Sequence, residues 1–171
     1  MENEHDRDRV EQEEGILVAQ SNLANSYATM GRLEQASQME RDIYRGRLKL
    51  NGEEHEMTLL AALNSAATLV ELKRFEEAKS RYRKTIPVAR RVLGEGHDVT
   101  FRMRKGYARA LCEDASATLN DVREAVTTLE ETERTARRVM GRAHPLTTAI
   151  EHDLRHSRAI LRAREAPPTS G

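Results

Sequence analysis

The 171-residue chain is long enough for one domain with a substantial core and hardly long enough for two. Charged residues make up 33% and aromatic residues 4%, with no Trp, a mixture that suits charged, Ala- and Leu-rich helices and disfavours a β-sandwich built from bulky strand formers. Lys plus Arg and Asp plus Glu balance at 28 each, so no global field draws the molecule to nucleic acid or an anionic membrane, and the single Cys112 excludes an internal disulfide and a cysteine-based zinc site.

Charge is nevertheless blocked along the chain. Residues 1–14 carry 7 acids and 2 Arg, whereas residues 73–109 carry 12 bases and 4 acids, a segregation that lets neighbouring helices pair or that serves a charged partner. Residues 1–12 show no apolar periodicity and are expected to be a mobile acidic segment. No run approaches the roughly 20 apolar residues of a membrane span, and the opening MENEHDRDRV is unlike a signal or transit peptide, so a soluble, cytoplasmic protein with no membrane partner is expected.

From residue 13 the apolar spacing is helical. Ile16, Leu17, Leu23, Ala24 and Tyr27 mark one stripe, Gly31 breaks it, and Leu33, Ala36, Met39, Ile43 and Leu50 mark a second. The pattern recurs with Leu59, Leu63, Ala66, Leu69 and Leu72, followed by Phe75, Ala78, Tyr82, Ile86 and Val92. Pro87 falls inside this last helical pattern and predicts a bend near residues 83–87. His55 precedes His97 by 42 residues and His97 precedes His144 by 47; the five extra residues lie between Ala108 and Ala125, as a loop in CEDASATLND.

The junctions explain themselves as helix boundaries. In VMGRAHPLT, Gly141 ends one helix in a left-handed conformation, His144 fixes the corner by a side-chain hydrogen bond, Pro145 suits the first turn of the next helix, and Thr147 can serve the N–H groups exposed there. Residues 145–164 then form one more amphipathic helix. Because a helical hairpin cannot bury its apolar face alone, such units stack. The fold expected is all-α: a right-handed α-solenoid of three helix-turn-helix repeats, about 13–54, 55–96 and 97–143, with a capping helix at 145–164 and a disordered tail at 165–171.

The segments NLANSYATMGRLEQA and NSAATLVELKRFEEA resemble the tetratricopeptide repeat, and the 42-residue period with its LGxxHPxT junctions is similar to the kinesin light chain subfamily. That resemblance implies an adaptor whose concave groove, lined by the first helix of each pair, holds an extended peptide or a partner segment. It also implies groove asparagines, whose amides donate and accept toward a peptide backbone; the matching positions are Asn22 and Asn64, with Gly106 where a third would fall. Asn25 lies one turn on from Asn22. Arg102, Lys105 and Arg109, spaced i, i+3, i+7, share a helix face and favour an acidic peptide or a C-terminal carboxylate, unless acids such as Glu71 and Glu113 already pair with them.

An enzymatic role finds little support in these residues. HDLRH places His152 and His156 at i, i+4 with an acid between, but the zinc peptidase pattern needs Glu as base and a third ligand. His55, His97 and His144 sit one per repeat, roughly 20 Å apart in sum, too far to share a metal. Cys112 has no paired base, and no phosphate loop or dinucleotide fingerprint appears. No cofactor and no nucleic-acid partner is expected. The reading is a protein-interaction module; its competitor is a homo-oligomer assembled through the solenoid ends, for which Ile16, Leu17 and Val18 form an apolar cluster.

Overall fold

The computed structural model describes residues 4–166, so the extremes of the expected N-terminal segment and tail, 1–3 and 167–171, lie outside the described residues. Seven helices follow in order: α1 Glu4–Thr29, α2 Leu33–Asn51, α3 Glu56–Glu71, α4 Phe75–Val92, α5 Asp98–Glu113, α6 Leu119–Met140 and α7 Pro145–Glu165. There is no strand among the described residues, as the low aromatic content and helical spacing led one to expect. Each helix packs on the next, and α3 also meets α5, which meets α7. The odd-numbered helices therefore form one layer and the even-numbered helices the other, which is the arrangement of stacked hairpins.

Three local devices, repeated, set this geometry. Gly52, Gly94 and Gly141 end α2, α4 and α6 with φ of 81°, 95° and 86°, a region that a Cβ disfavours. His55, His97 and His144 then cap α3, α5 and α7, each Nδ1 accepting from the N–H two residues on, at 3.2, 3.3 and 3.2 Å. The threonine three residues after each histidine does not serve these N–H groups: Thr58, Thr100 and Thr147 are inside the helix and buried, and Thr58 instead donates to the Arg47 carbonyl at 3.2 Å, tying the hairpins together. The imidazole reaches the N–H first because it leaves the chain at the cap itself, where the backbone is still extended.

Within the second hairpin the tight turn is made by Lys73, whose φ of 59° matches the 75° of Gly31 one repeat earlier. A left-handed residue with a Cβ costs about 1 kcal/mol, part of which glycine returns as chain entropy in the unfolded state. Lys73→Gly is accordingly expected to raise stability by about 0.5 kcal/mol, read as a rise of about 1–2 °C in the circular dichroism melting curve.

Two further expectations concern α1 and α4. Helix α1 already runs through the acidic segment 4–12, exposed along residues 6–13; carboxylates at a helix N-terminus stabilise the dipole there, so the helix extends without apolar contacts. Helix α4 continues through Pro87 to Val92, with Arg83 and Pro87 both on the exposed side, away from the core. The five-residue insertion forms the connection between α5 and α6, and Thr118 with Asp121 closes a reciprocal capping box at its end.

The core has two parts. One continuous cluster runs from α3 to α7 through Leu59, Tyr82, Phe101, Leu111, Leu129 and Ile150. A second, smaller one joins Leu17 and Ala24 of α1 to Ile43 of α2 and Ala61 of α3. Between them lie the buried polar side chains Glu40 and Arg47, so the apolar core thins where the first hairpin meets the second.

Candidate functional site

Two adjoining cavities open on the layer of odd-numbered helices, and Asn64 belongs to both. The first, about 200 Å³, is walled by Val18, Asn22, Ala24 and Asn25 of α1, Glu40, Ile43 and Arg47 of α2, and Met57, Leu60, Ala61 and Asn64 of α3. The second, about 270 Å³, is bounded by Asn64 and Val70 of α3, Tyr82 of α4, Arg102, Lys105, Gly106 and Arg109 of α5, and Leu146 and Ala149 of α7. The six residues expected at the groove, Asn22, Asn25, Asn64, Arg102, Lys105 and Arg109, are all found on these walls.

The absence of a third asparagine has a steric cause. A Cβ on Gly106 would fall 2.7 Å from Cζ of Tyr82 and nearer still to its hydroxyl, so the phenol of α4 occupies the space a side chain on α5 would need. Tyr82 is 1% exposed and its burial pushes the phenol pKa up, keeping it neutral. At the corresponding place in α7, 47 residues after Gly106, stands Asp153.

The electrostatics of α5 differ from a free basic face. Arg102 Nε lies 2.7 Å from Asp98, Lys105 Nζ 3.1 Å from Asp153 of α7, and Arg109 is held at 2.5 Å by Glu71 of α3 and at 2.6 Å by Glu113. Three cations thus meet four carboxylates, and the pairing with Glu71 and Glu113 weighed from the sequence is present. An acidic ligand at this face has to displace an existing partner. The ion pairs also lock α5 to its neighbours on both sides, a structural task legible in the i, i+3, i+7 spacing only as charge.

A third cavity, between α5 and α7, brings together Cys112, His152, Asp153, His156 and Ser157. Its thiol is buried, donates to Ser157 Oγ at 3.3 Å and has its pKa raised by desolvation, which keeps it protonated and inert. His152 is exposed and contacts Asp153 at 3.3 Å, and among the described residues no group of three or more His, Cys, Asp or Glu is placed to hold a metal ion. No described helix is long and apolar enough to cross a membrane.

Sequence reasoning missed Glu40 and Arg47. Both lie in an amphipathic pattern at i, i+7 that reads as ordinary surface charge, yet they are 4% and 2% exposed. The packing of α1 and α3 on α2 covers them.

Repeated helical hairpins, closed by glycine and capped by histidine, with a groove on the first-helix layer, define the class: an α-solenoid repeat protein. Consecutive matches to the tetratricopeptide repeat family cover residues 16–56 and 58–98. Tetratricopeptide repeats are thus present at residues 16–98, and the structure continues the same hairpin form through α7. Among solved structures it is similar to the nearly identical TPR-like repeats of a Podosopora anserina protein described as a kinesin light chain (TM-score 0.75, 21% identity, 84% of this chain and 66% of that one) and to a point variant of those repeats (0.72, 21%, 87% and 68%). It is also similar to BtubC (BKLC) from P. vanneervenii (0.57, 15%, 93% and 68%). The chain spans about two thirds of the length of these structures, and the likeness at such identities is one of fold. No curated protein matches the sequence. Repeats of this family generally mediate protein–protein interaction or self-assembly and are typically scaffolds without catalysis.

Proposed function

We propose that this protein is a non-enzymatic scaffold that holds an extended partner segment in the groove formed by α1, α3, α5 and α7. The observation that carries this reading is the run of amides Asn22, Asn25 and Asn64 along two contiguous cavities, since each amide offers a donor and an acceptor to a peptide backbone. A general preference for acidic segments does not enter it, because Arg102, Lys105 and Arg109 already face carboxylates. Cofactor binding and the stacking of single-stranded nucleic acid do not enter it either.

One observation favours a second reading, assembly through the solenoid end. Leu17 points into the core at 8% exposed, but Ile16 and Leu23 of α1 and Met30 in the turn after it are 50%, 44% and 61% exposed and follow at i, i+7, i+14, an apolar seam along the uncovered side of the first helix and its end.

A phage-displayed random dodecapeptide library panned on the immobilised protein separates the two. Groove binding predicts enriched peptides whose affinity falls at least tenfold on the double change Asn22→Ala, Asn64→Ala, with helicity unchanged. Enrichment of nothing, together with a concentration-dependent dimer in sedimentation equilibrium that Leu23→Glu dissociates, would replace the groove with the assembly reading.

A further inference from the structure

Tyr82 and Glu40 occupy the same position of successive repeats, 42 residues apart, and so do their neighbours across the hairpin junction, Gly106 and Asn64. In the second repeat the phenol of Tyr82 fills the space against Gly106. In the first repeat a shorter carboxylate stands there, and the space it leaves is the cavity of about 200 Å³ beneath Asn22, Asn25 and Asn64. Glu40 is 4% exposed, and its Oε2, out of contact with water, has no hydrogen-bond partner among the described residues. A buried carboxylate oxygen without a donor is costly to maintain and is the sort of group a ligand satisfies.

The nearby cations do not satisfy it. Arg47 lies two helical turns along α2, about 10 Å, and is oriented by Glu14 of α1 at 3.8 Å and Asn51 at 3.5 Å. Arg81 of α4 is the other; its guanidinium stacks over the Tyr44 ring, 4.6 Å from the centroid, and although its Nη1 is likewise buried without a hydrogen-bond partner it forms no ion pair with Glu40. The α1 and α3 walls of the cavity carry no charged group, contributing Ser21, Asn22, Asn25 and Asn64 as polar residues and Val18, Leu60 and Ala61 among the apolar ones.

We propose that this cavity is an anchoring subsite for the alkylammonium end of a lysine in the partner segment, with the Glu40 carboxylate as its counter-ion. The apolar walls cover a four-carbon stem, the Asn side-chain oxygens supply further acceptors, and three N–H donors on the ammonium match that set. The proposal rests on the groove reading and deepens it, giving the partner a basic anchor. Burial raises the Glu40 pKa to about 7, against the smaller lowering effects of the Thr68 hydroxyl and the Arg81 charge, so the unliganded site titrates near neutrality, and a cation bound there favours the ionised form.

The test uses n-butylammonium chloride, with 1-butanol as the neutral isostere, titrated into the intact protein and followed by the side-chain amide signals of Asn22, Asn25 and Asn64. Expected are saturable shifts with butylammonium but not butanol, at least tenfold tighter at pH 8 than at pH 5.5 as Glu40 ionises, and abolished by Glu40→Gln. That variant removes a buried charge, so it is expected to melt at or above the wild-type temperature at pH 8. Peptides recovered by panning should carry Lys at one fixed place, and lose that preference against Glu40→Gln. The inference is overturned if butylammonium gives no saturable shift, if Glu40→Gln leaves the shift unchanged, or if Glu40→Gln lowers the melting temperature, which would assign the carboxylate to Arg81 in the fold. Groove-binding peptides without a fixed Lys would also sink it while leaving the groove; saturable butylammonium binding with no peptide enriched would sink the groove and leave the cation site.

Discussion

Replacing Asp114 by Ala is expected to lower stability by about 2–3 kcal/mol at pH 7, a drop of about 4–10 °C in the melting curve. Asp114 closes the loop between α5 and α6 by accepting from Ser116 N at 2.9 Å and Ser116 Oγ at 2.7 Å, and it receives Lys79 Nζ of α4 at 2.9 Å. Lys79 is 4% exposed and Asp114 8%, so the change strips a buried ammonium of its buried partner, leaving Glu76 at 2.5 Å on the solvent side. The hydrogen bonds from Ser116 and then the Lys79 charge hold the Asp114 pKa down at about 2, below its ordinary 3.8. The sign follows: a depressed carboxylate contributes stability above pH 3.8 that is lost as pH falls through about 2. The gap between wild type and Asp114→Ala should therefore be full at pH 6 and narrow steadily below pH 4. Asp114→Asn, which keeps an acceptor for Ser116 but not the charge, should fall between the two, and a gap independent of pH would contradict the assignment.

Gly106→Ala is expected to destabilise by about 2 kcal/mol although alanine is the better helix former by about 1 kcal/mol. The added methyl meets the fully buried Tyr82 ring, which is packed in the core shared by α3, α4 and α5. The check is a double-mutant cycle. Tyr82→Ala alone should cost about 3–5 kcal/mol by leaving a cavity, and on that background Gly106→Ala should become neutral or favourable. Additive losses would mean that Tyr82 is not what excludes a side chain at 106.

Much of the architecture was legible beforehand because it rests on short-range physics. Spacing at 3.6 residues, the junction glycines, the junction histidines and Pro145 at a first helical turn dictate helices and turns within a few residues of themselves, and the 42-residue period states that the units are alike. Likeness of units then requires stacking, since each hairpin has an apolar face to bury. The asparagines of α1 and α3 followed from the same register, because residues 42 apart occupy the same place on successive hairpins.

What the register could not disclose is how each place is filled. Whether Arg102, Lys105 and Arg109 are free depends on Asp98, Glu71, Glu113 and Asp153, of which Asp153 lies 48 residues from Lys105 and Glu71 lies 38 from Arg109. That Tyr82 fills the place of a third asparagine, and that Glu40 leaves its own place partly empty, depends on the volume enclosed when four helices close around one position. The sequence by itself determined the helices, their caps and their repetition, all of which rest on contacts within a turn or two of chain. Only the tertiary structure decided which charges are neutralised and which are buried without a full set of partners, because burial and ion pairing are properties of the space between helices rather than of any one of them.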